Sequence, residues 1–204
     1  MKQSELVRRA LDAEPVPRDL EARVRVNLTR RPGVLWGRLL TSFAMLVMVI
    51  GGAQYYTAQK VRALYRVGVA DHIHCAIEGA YPHQTERVSM MEGLGPYAPM
   101  LQPILDQSPG DTVESAHRCT TGGRDYVHVI LRRGPTSISV ILTKRTGAEG
   151  FPGTRLREGK MDGYFVSGFE AGAYLGYVVS ALPGQQNSEL AGRVAPVVRR
   201  YTGV

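Results

Sequence analysis

Cysteine is scarce in this sequence, which has only two cysteines among 204 residues, Cys75 and Cys119. Two cysteines so far apart match neither an established zinc-finger or copper motif nor the C-x-x-C-H haem attachment site. The chain also lacks a Walker loop, a dinucleotide-binding glycine fingerprint, a G-x-S-x-G elbow and an H-E-x-x-H helix. These absences leave no recognisable catalytic motif, and we predict a protein that is not an enzyme and has no cofactor, with zinc or copper as the alternative.

Long hydrophobic runs are equally rare, and the single exception divides the sequence into a short N-terminal arm and a longer C-terminal part. Residues Leu39 to Gln59 carry no charge and are bracketed by Arg38 and Lys60. At about 1.5 Å per residue such a run forms a helix of roughly 30 Å, close to the hydrocarbon thickness of a bilayer. The preceding charged region is far too long for a signal peptide. We therefore predict one transmembrane helix over residues 39–59, with a buried core helix as the alternative because polar residues dilute its hydrophobicity.

The distribution of basic residues predicts the orientation of this span. Residues 1–38 carry nine Lys and Arg against five Asp and Glu, whereas residues 60–204 carry 16 against 13. Because Lys and Arg favour the cytoplasmic flank, we predict an inner-membrane protein with its N-terminus inside. Its parts are then a cytoplasmic amphipathic arm (1–38), the span (39–59) and an extracytoplasmic domain (60–204). The net charge of +7 arises largely in the arm and flanks, so we expect a lipid bilayer and no nucleic acid as partner.

The N-terminal arm contains the pattern of two short amphipathic helices. Residues 4–12 and 18–30 have helical periodicity, and Pro15 and Pro17 separate them. The second helix contains two acid–base pairs at i, i+4 in the favourable order, Asp19 with Arg23 and Glu21 with Arg25. Such an arm is typical of a docking element for a cytoplasmic protein or of a segment that lies on anionic lipid.

The segment from Pro15 to Arg25, followed by a basic stretch and one span, resembles the juxtamembrane helix of bacterial single-span anti-sigma factors and their anti-sigma-like relatives. The resemblance covers about residues 15–60. It implies a cytoplasmic part that holds a sigma factor and an outer domain that senses a signal or is proteolysed. The arm lacks the His-x-x-x-Cys-x-x-Cys zinc motif of that family and is shorter than its four-helix domain. We expect an anti-sigma-like regulatory or interaction module that binds a sigma factor or another cytoplasmic protein through residues 1–38.

The outer domain has strands between helices. Helices are predicted at residues 60–69, 85–91, 97–107 and from Asn187 or Ser188, as N-cap, to Tyr201. Strands are predicted at residues 112–119, 125–132, 137–144, 164–170 and 174–181, with an exposed loop over 146–163 and a glycine hairpin at Gly122-Gly123. This order implies an α+β domain in which an antiparallel β-meander carries its helices on one face.

Imidazole and thiol side chains gather in three short segments. They are His72, His74 and Cys75, then His117 and Cys119, and then His128 on the next predicted strand. On a strand His117 and Cys119 point to the same face, and the hairpin brings His128 beside them. Residues 71–77 fit a strand and a helical turn equally well, so the sequence leaves their arrangement open.

Three interpretations of these residues compete. We favour a disulfide between Cys75 and Cys119, because an extracytoplasmic location is oxidising and the number of cysteines is even. The second is a zinc or copper site built from the six residues just named, since imidazole and thiolate ligands suit both metals. The third is that the cysteines are buried core residues and the histidines are structural or solvated. The alternative function is accordingly a membrane-tethered metal- or redox-binding domain.

Overall fold

The computed structural model describes residues 19–29, 33–81, 86–151 and 156–202. The predicted helix at residues 4–12 lies outside them. The helical elements are α1 (Leu20–Thr29), α2 (Gly33–His72), a π-helical turn (Ile73–Ile77), α3 (Arg87–Leu94), a 3-10 segment (Gly95–Met100), α4 (Leu101–Asp106) and α5 (Gly184–Thr202). The strands are β1 (Thr112–Thr121), β2 (Arg124–Arg133), β3 (Thr136–Lys144), β4 (Leu156–Met161), β5 (Tyr164–Ala171) and β6 (Tyr174–Ser180). The chain divides into two compact units, residues 1–53 and 54–204.

The first unit contains α1 and the beginning of α2. Helix α1 falls within the predicted range 18–30, and both predicted ion pairs are confirmed. Arg23 and Asp19 approach to 2.5 Å, and Arg25 and Glu21 approach to 3.1 Å. These side chains are exposed, so each pair adds only about 0.3–0.5 kcal/mol to helix stability.

Helix α2 contains the predicted span and is 40 residues long. Within the described residues it is the one helix long and apolar enough to cross a membrane, and its apolar window has a mean hydropathy of 1.2 with no residue buried. Phe43 and Met48 are each about two-thirds exposed. An apolar surface of this extent is unusual for a solvated helix and is what a lipid-facing helix presents.

The second unit is an α+β domain built on one antiparallel sheet of six strands, as the sequence predicts in outline. The strand order is β1-β2-β3-β6-β5-β4. The strands therefore form two three-stranded meanders that meet where β3 pairs with β6, and not one continuous meander. The predicted hairpin at Gly122-Gly123 is confirmed, since both glycines have positive φ and Thr121 pairs with Arg124.

Strand β4 corrects the predicted loop over residues 146–163. It pairs with β5 along its whole length and forms one edge of the sheet. Three charged residues and Gly159 interrupt its apolar alternation, which is common on edge strands because charge discourages pairing with another chain. The two-residue turn that follows, Asp162-Gly163, has φ angles of 51° and 88°. Asp-Gly is a strong hairpin signal, and it is the feature from which β4 was predictable.

Helices cover both faces of the sheet, which corrects the prediction of a single covered face. Helices α3, α4 and α5 pack on one face through buried side chains such as Leu94, Ile104 and Val194. On the other face Leu64, Tyr65 and Val69 of α2 contribute to a second core. The second layer arises because the apolar stripe of α2 continues past the predicted span.

The remaining helical predictions hold with shifted bounds. The predicted helix at 85–91 corresponds to α3, and the one at 97–107 consists of the 3-10 segment followed by α4. The segment 71–77, which was ambiguous between strand and helix, is helical. The helix predicted over 60–69 is part of α2.

Asn187 is a buried residue inside α5 and not its N-cap, because α5 begins three residues earlier, at Gly184. Its side-chain Nδ2 donates to the carbonyl oxygens of Phe165 and Val178, both at 2.8 Å. Its Oδ1 accepts a hydrogen bond from the Ser180 hydroxyl at 2.9 Å. One amide group thus joins α5 to β5 and β6.

We expect the Asn187→Ala substitution to lower the free energy of unfolding by about 2–3 kcal/mol, because it leaves two buried carbonyls and one hydroxyl without their partner. Urea denaturation of the full chain in detergent, followed by circular dichroism, measures the change. Gln186→Ala, one position earlier and exposed, is the matched control and should change stability by less than about 0.5 kcal/mol. Equal effects of the two substitutions would contradict this role for Asn187.

Candidate metal centre

The end of α2 brings the first part of the site to the sheet. The helix widens into the π-helical turn Ile73–Ile77, in which the Glu78 N–H donates to the Ile73 carbonyl at 2.8 Å. Turns of this kind are rare and are found frequently at functional sites. Asp71 and Cys75, four residues apart, are both buried on the side that faces the sheet.

The β1–β2 hairpin supplies the other part. His117 on β1 lies directly opposite His128 on β2, and their ring centroids are 5.5 Å apart. Cys119 follows two residues after His117 and therefore points to the same face. The predicted proximity of His117, Cys119 and His128 is confirmed by this register.

Four buried side chains converge where these parts meet, and we call them the His/Cys cluster: Cys75, His117, Cys119 and His128. One ligand atom from each lies within 4.8 Å of all the others. The two sulfurs are 3.7 Å apart. Two thiolates bound at about 2.3 Å to a tetrahedral zinc ion would be separated by about 3.8 Å. The observed spacing therefore fits two ligands of one metal ion.

The imidazoles of the cluster have nitrogen atoms available for a metal. In the described part of the chain, Nε2 of His117 and Nε2 of His128 are buried and have no hydrogen-bond partner. A buried polar atom without a partner costs about 1–3 kcal/mol, so such atoms are uncommon in a folded protein. Coordination to a metal ion would satisfy both atoms together.

The opposite nitrogen of each ring has a polar neighbour. Nδ1 of His128 lies 3.1 Å from Oδ2 of Asp71, and Nδ1 of His117 lies 3.0 Å from the Ser115 hydroxyl. Metal-binding histidines usually have such a partner, because it holds the ring and its tautomer in position. Asp71 and Ser115 thus occupy the places of orienting groups.

Asp71 also contacts both thiols. Its Oδ1 accepts hydrogen bonds from Cys119 at 3.4 Å and from Cys75 at 3.7 Å. The hydrogen bond between Cys119 and Cys75, together with burial, raises the pKa of the Cys119 thiol. A bound cation would reverse this preference, since its positive charge would stabilise thiolates next to a carboxylate.

The two histidines differ in their preferred charge. Burial, and then the neighbouring His128, lower the pKa of His117 to about 4, which leaves its ring neutral. Burial acts in the same direction on His128, but the contacts with Asp71 and Cys119 outweigh it and raise the pKa of His128. A neutral imidazole is the form that binds a metal.

Two of the six predicted ligands lie outside the cluster. His72 is fully buried, and its Nδ1 lies 2.6 Å from the Ser139 hydroxyl. His74 points away, with Nδ1 3.6 Å from an oxygen of Glu78. A helix separates residues i and i+2, such as His72 and His74, by about 200° around its axis, whereas a strand would have placed both rings on one face.

The predicted disulfide is not present. Cys75 and Cys119 are free, and their sulfurs are 3.7 Å apart. A disulfide bond requires about 2.05 Å. The prediction correctly brought the two cysteines together, although they meet as separate thiols beside two imidazoles.

Sequence reasoning missed the residues that surround the cluster. Ser115 was detectable, because it precedes His117 by two positions on the same strand face. Tyr81, which stacks on His117 with ring centroids 4.1 Å apart, follows the π-helical turn in a segment without periodicity. Only tertiary packing places it there.

No protein-family model and no curated protein matches the chain.

Proposed function

We propose that this chain is a single-span membrane protein whose C-terminal α+β domain holds a structural zinc ion in a Cys2His2 site. The observation that carries the proposal is the convergence of four buried ligand atoms within 4.8 Å of one another. Cys75, His117, Cys119 and His128 are the ligands, and Asp71 and Ser115 orient the two imidazoles. Zinc in such a site joins the end of α2 to the β1–β2 hairpin.

The composition and enclosure of the cluster favour zinc over copper and a structural role over a catalytic one. Two thiolates and two imidazoles in a tetrahedral arrangement are a common ligand set of structural zinc. Catalytic zinc keeps one position open for water, whereas four protein ligands fill all positions here.

The direct test is the metal content of the full chain, purified in detergent without a polyhistidine tag. We expect one zinc ion per chain, and loss of that ion in the Cys119→Ser and His117→Ala variants. His74→Ala is the matched control, since it removes an imidazole close in sequence but outside the cluster. A wild-type chain that binds no zinc when titrated under reducing conditions would refute the proposal, and preferential binding of Cu(I) would reassign the metal.

The Asp71→Asn substitution tests the orienting carboxylate separately from the ligands. We expect zinc affinity to fall by about 10- to 100-fold, because removing a group that orients a ligand histidine has effects of this size. Competition with a chromogenic chelator measures the affinity. Glu78→Gln, which changes an exposed carboxylate beside His74, should leave the affinity at the wild-type value; a similar loss in both variants would contradict the assignment of Asp71.

The regulatory role and the orientation stay predictions that rest on sequence. The resemblance of residues 15–60 to anti-sigma-like proteins supports a cytoplasmic arm that binds a sigma factor. Crosslinking in cells followed by capture through residues 1–38 tests it, and recovery of no sigma factor would count against that role. A zinc-containing outer domain is compatible with this arm, because the two lie in different parts of the chain.

A further inference from the structure

The two cysteines of the His/Cys cluster differ in their position relative to a cleft. Cys119 lines a cleft of about 650 Å³ together with Tyr81 and Tyr126. Cys119 is 5% exposed and Cys75 is 2% exposed, and Cys75 is not part of the cleft lining. Cys119 therefore borders the cleft, and its sulfur lies 3.7 Å from the sulfur of Cys75.

The two sulfurs are close enough for a small movement to join them. Shortening their distance from 3.7 Å to the bond length of about 2.05 Å requires a movement of less than about 2 Å. Cys119 is held in the β1–β2 ladder opposite Tyr126. Cys75 lies on the π-helical turn outside the sheet, so it can move without breaking any strand pairing.

We propose that Cys119 and Cys75 are a peroxide-reactive pair whose oxidation releases the metal, an inference that rests on the zinc site proposed above. The Cys119 thiolate attacks one oxygen of hydrogen peroxide, the O–O bond breaks, hydroxide leaves, and the sulfur becomes a sulfenic acid. The Cys75 thiolate then attacks this sulfur, an S–S bond forms, and the S–O bond breaks with loss of a second hydroxide. Two thiolates lose two electrons, and one peroxide becomes two hydroxide ions.

Oxidation removes half of the ligands at once. Only His117 and His128 keep a free lone pair for the metal, and two imidazoles alone do not retain zinc as a four-ligand site does. Zinc leaves as the divalent ion, and a dithiol reductant restores both thiolates and the site. The cluster then reports the presence of a peroxide by releasing zinc.

The experiment uses the zinc-loaded full chain in detergent, treated with hydrogen peroxide. We expect one zinc ion released to a chromogenic chelator for every two thiols lost, together with a Cys75–Cys119 linked peptide in the mass spectrum. Reduction with dithiothreitol should restore zinc binding. Retention of zinc with both thiols still titratable would overturn the inference, and so would conversion of the thiols to sulfinic acids without a link.

Single variants test the order of attack. In Cys75→Ser the sulfenic acid on Cys119 has no second thiol to react with and should be trapped by a dimedone reagent. In Cys119→Ser we expect Cys75 to react with peroxide about tenfold more slowly than Cys119 does in Cys75→Ser, because an enclosed thiol is less accessible to the oxidant. Equal rates in the two variants would overturn the assigned order. Zinc content measured before peroxide separates the two proposals, since absence of zinc refutes the site, whereas one bound zinc without a peroxide response refutes only this inference.

Discussion

Removal of the proposed zinc ion from the full chain should lower the midpoint of thermal unfolding by about 10 °C. At a free zinc concentration 1,000 times the dissociation constant, binding contributes about 4 kcal/mol to stability. For a domain of this size each kcal/mol corresponds to about 2–4 °C. The unpaired Nε2 atoms of His117 and His128 in the zinc-free chain are already part of this difference. Thermal scans in detergent with and without a chelator measure the effect.

Ligand variants supply the control for this measurement. Cys119→Ser should have a low midpoint that the chelator does not change, because it binds no zinc. His74→Ala should respond to the chelator as the wild-type chain does. A wild-type midpoint that is the same with one zinc bound and with none would show that the ion does not stabilise the fold.

Introducing a charge at the centre of the span should largely prevent membrane insertion. Val49 is about two-thirds exposed in α2, and Val49→Arg places a guanidinium at the centre of residues 39–59. Such a residue costs about 2.5–3.5 kcal/mol on insertion, equivalent to a change on the order of 100-fold in the insertion equilibrium. The mean hydropathy of 1.2 leaves little apolar surplus to offset this cost. Alkaline carbonate extraction of cell membranes measures the inserted fraction.

Val49→Leu is the matched control and should be retained in the membrane. A reporter that is active only outside the cytoplasm, fused to the C-terminus, tests orientation in the same cells. We expect activity in the wild-type and Val49→Leu fusions and little in Val49→Arg. Full retention of the arginine variant in the membrane would contradict the assignment of the span.

The elements that the sequence predicted well depend on residues close together in the chain. The Asp19–Arg23 pair follows from i, i+4 spacing, and the β1–β2 turn follows from two glycines that tolerate positive φ. The same hairpin register placed His117 opposite His128. Each of these follows from local backbone geometry, which a short stretch of sequence determines.

The elements that were missed depend on contacts between distant segments. Strand β4 has weak alternation, and its place at the sheet edge comes from pairing with β5. Asn187 is a residue type that is common at helix N-caps, yet it is buried because β5 and β6 supply carbonyls that its amide can reach. Local propensity favoured a cap, and the hydrogen bonds of the packed domain outweighed it.

The sequence by itself determined the apolar run, the α+β class and the hairpin that joins His117, Cys119 and His128, since periodicity and turn chemistry are local properties. The sequence also paired Cys75 with Cys119, 44 positions away, but it left open which of His72, His74 and Cys75 joins the cluster, and only the tertiary structure decided that it is Cys75. Its place depends on how the end of α2 packs on β1 and β2 and on the π-helical turn that follows. That packing brings the two sulfurs to 3.7 Å and leaves the Nε2 atoms of His117 and His128 without a hydrogen-bond partner, an arrangement that suits a metal ion better than a disulfide.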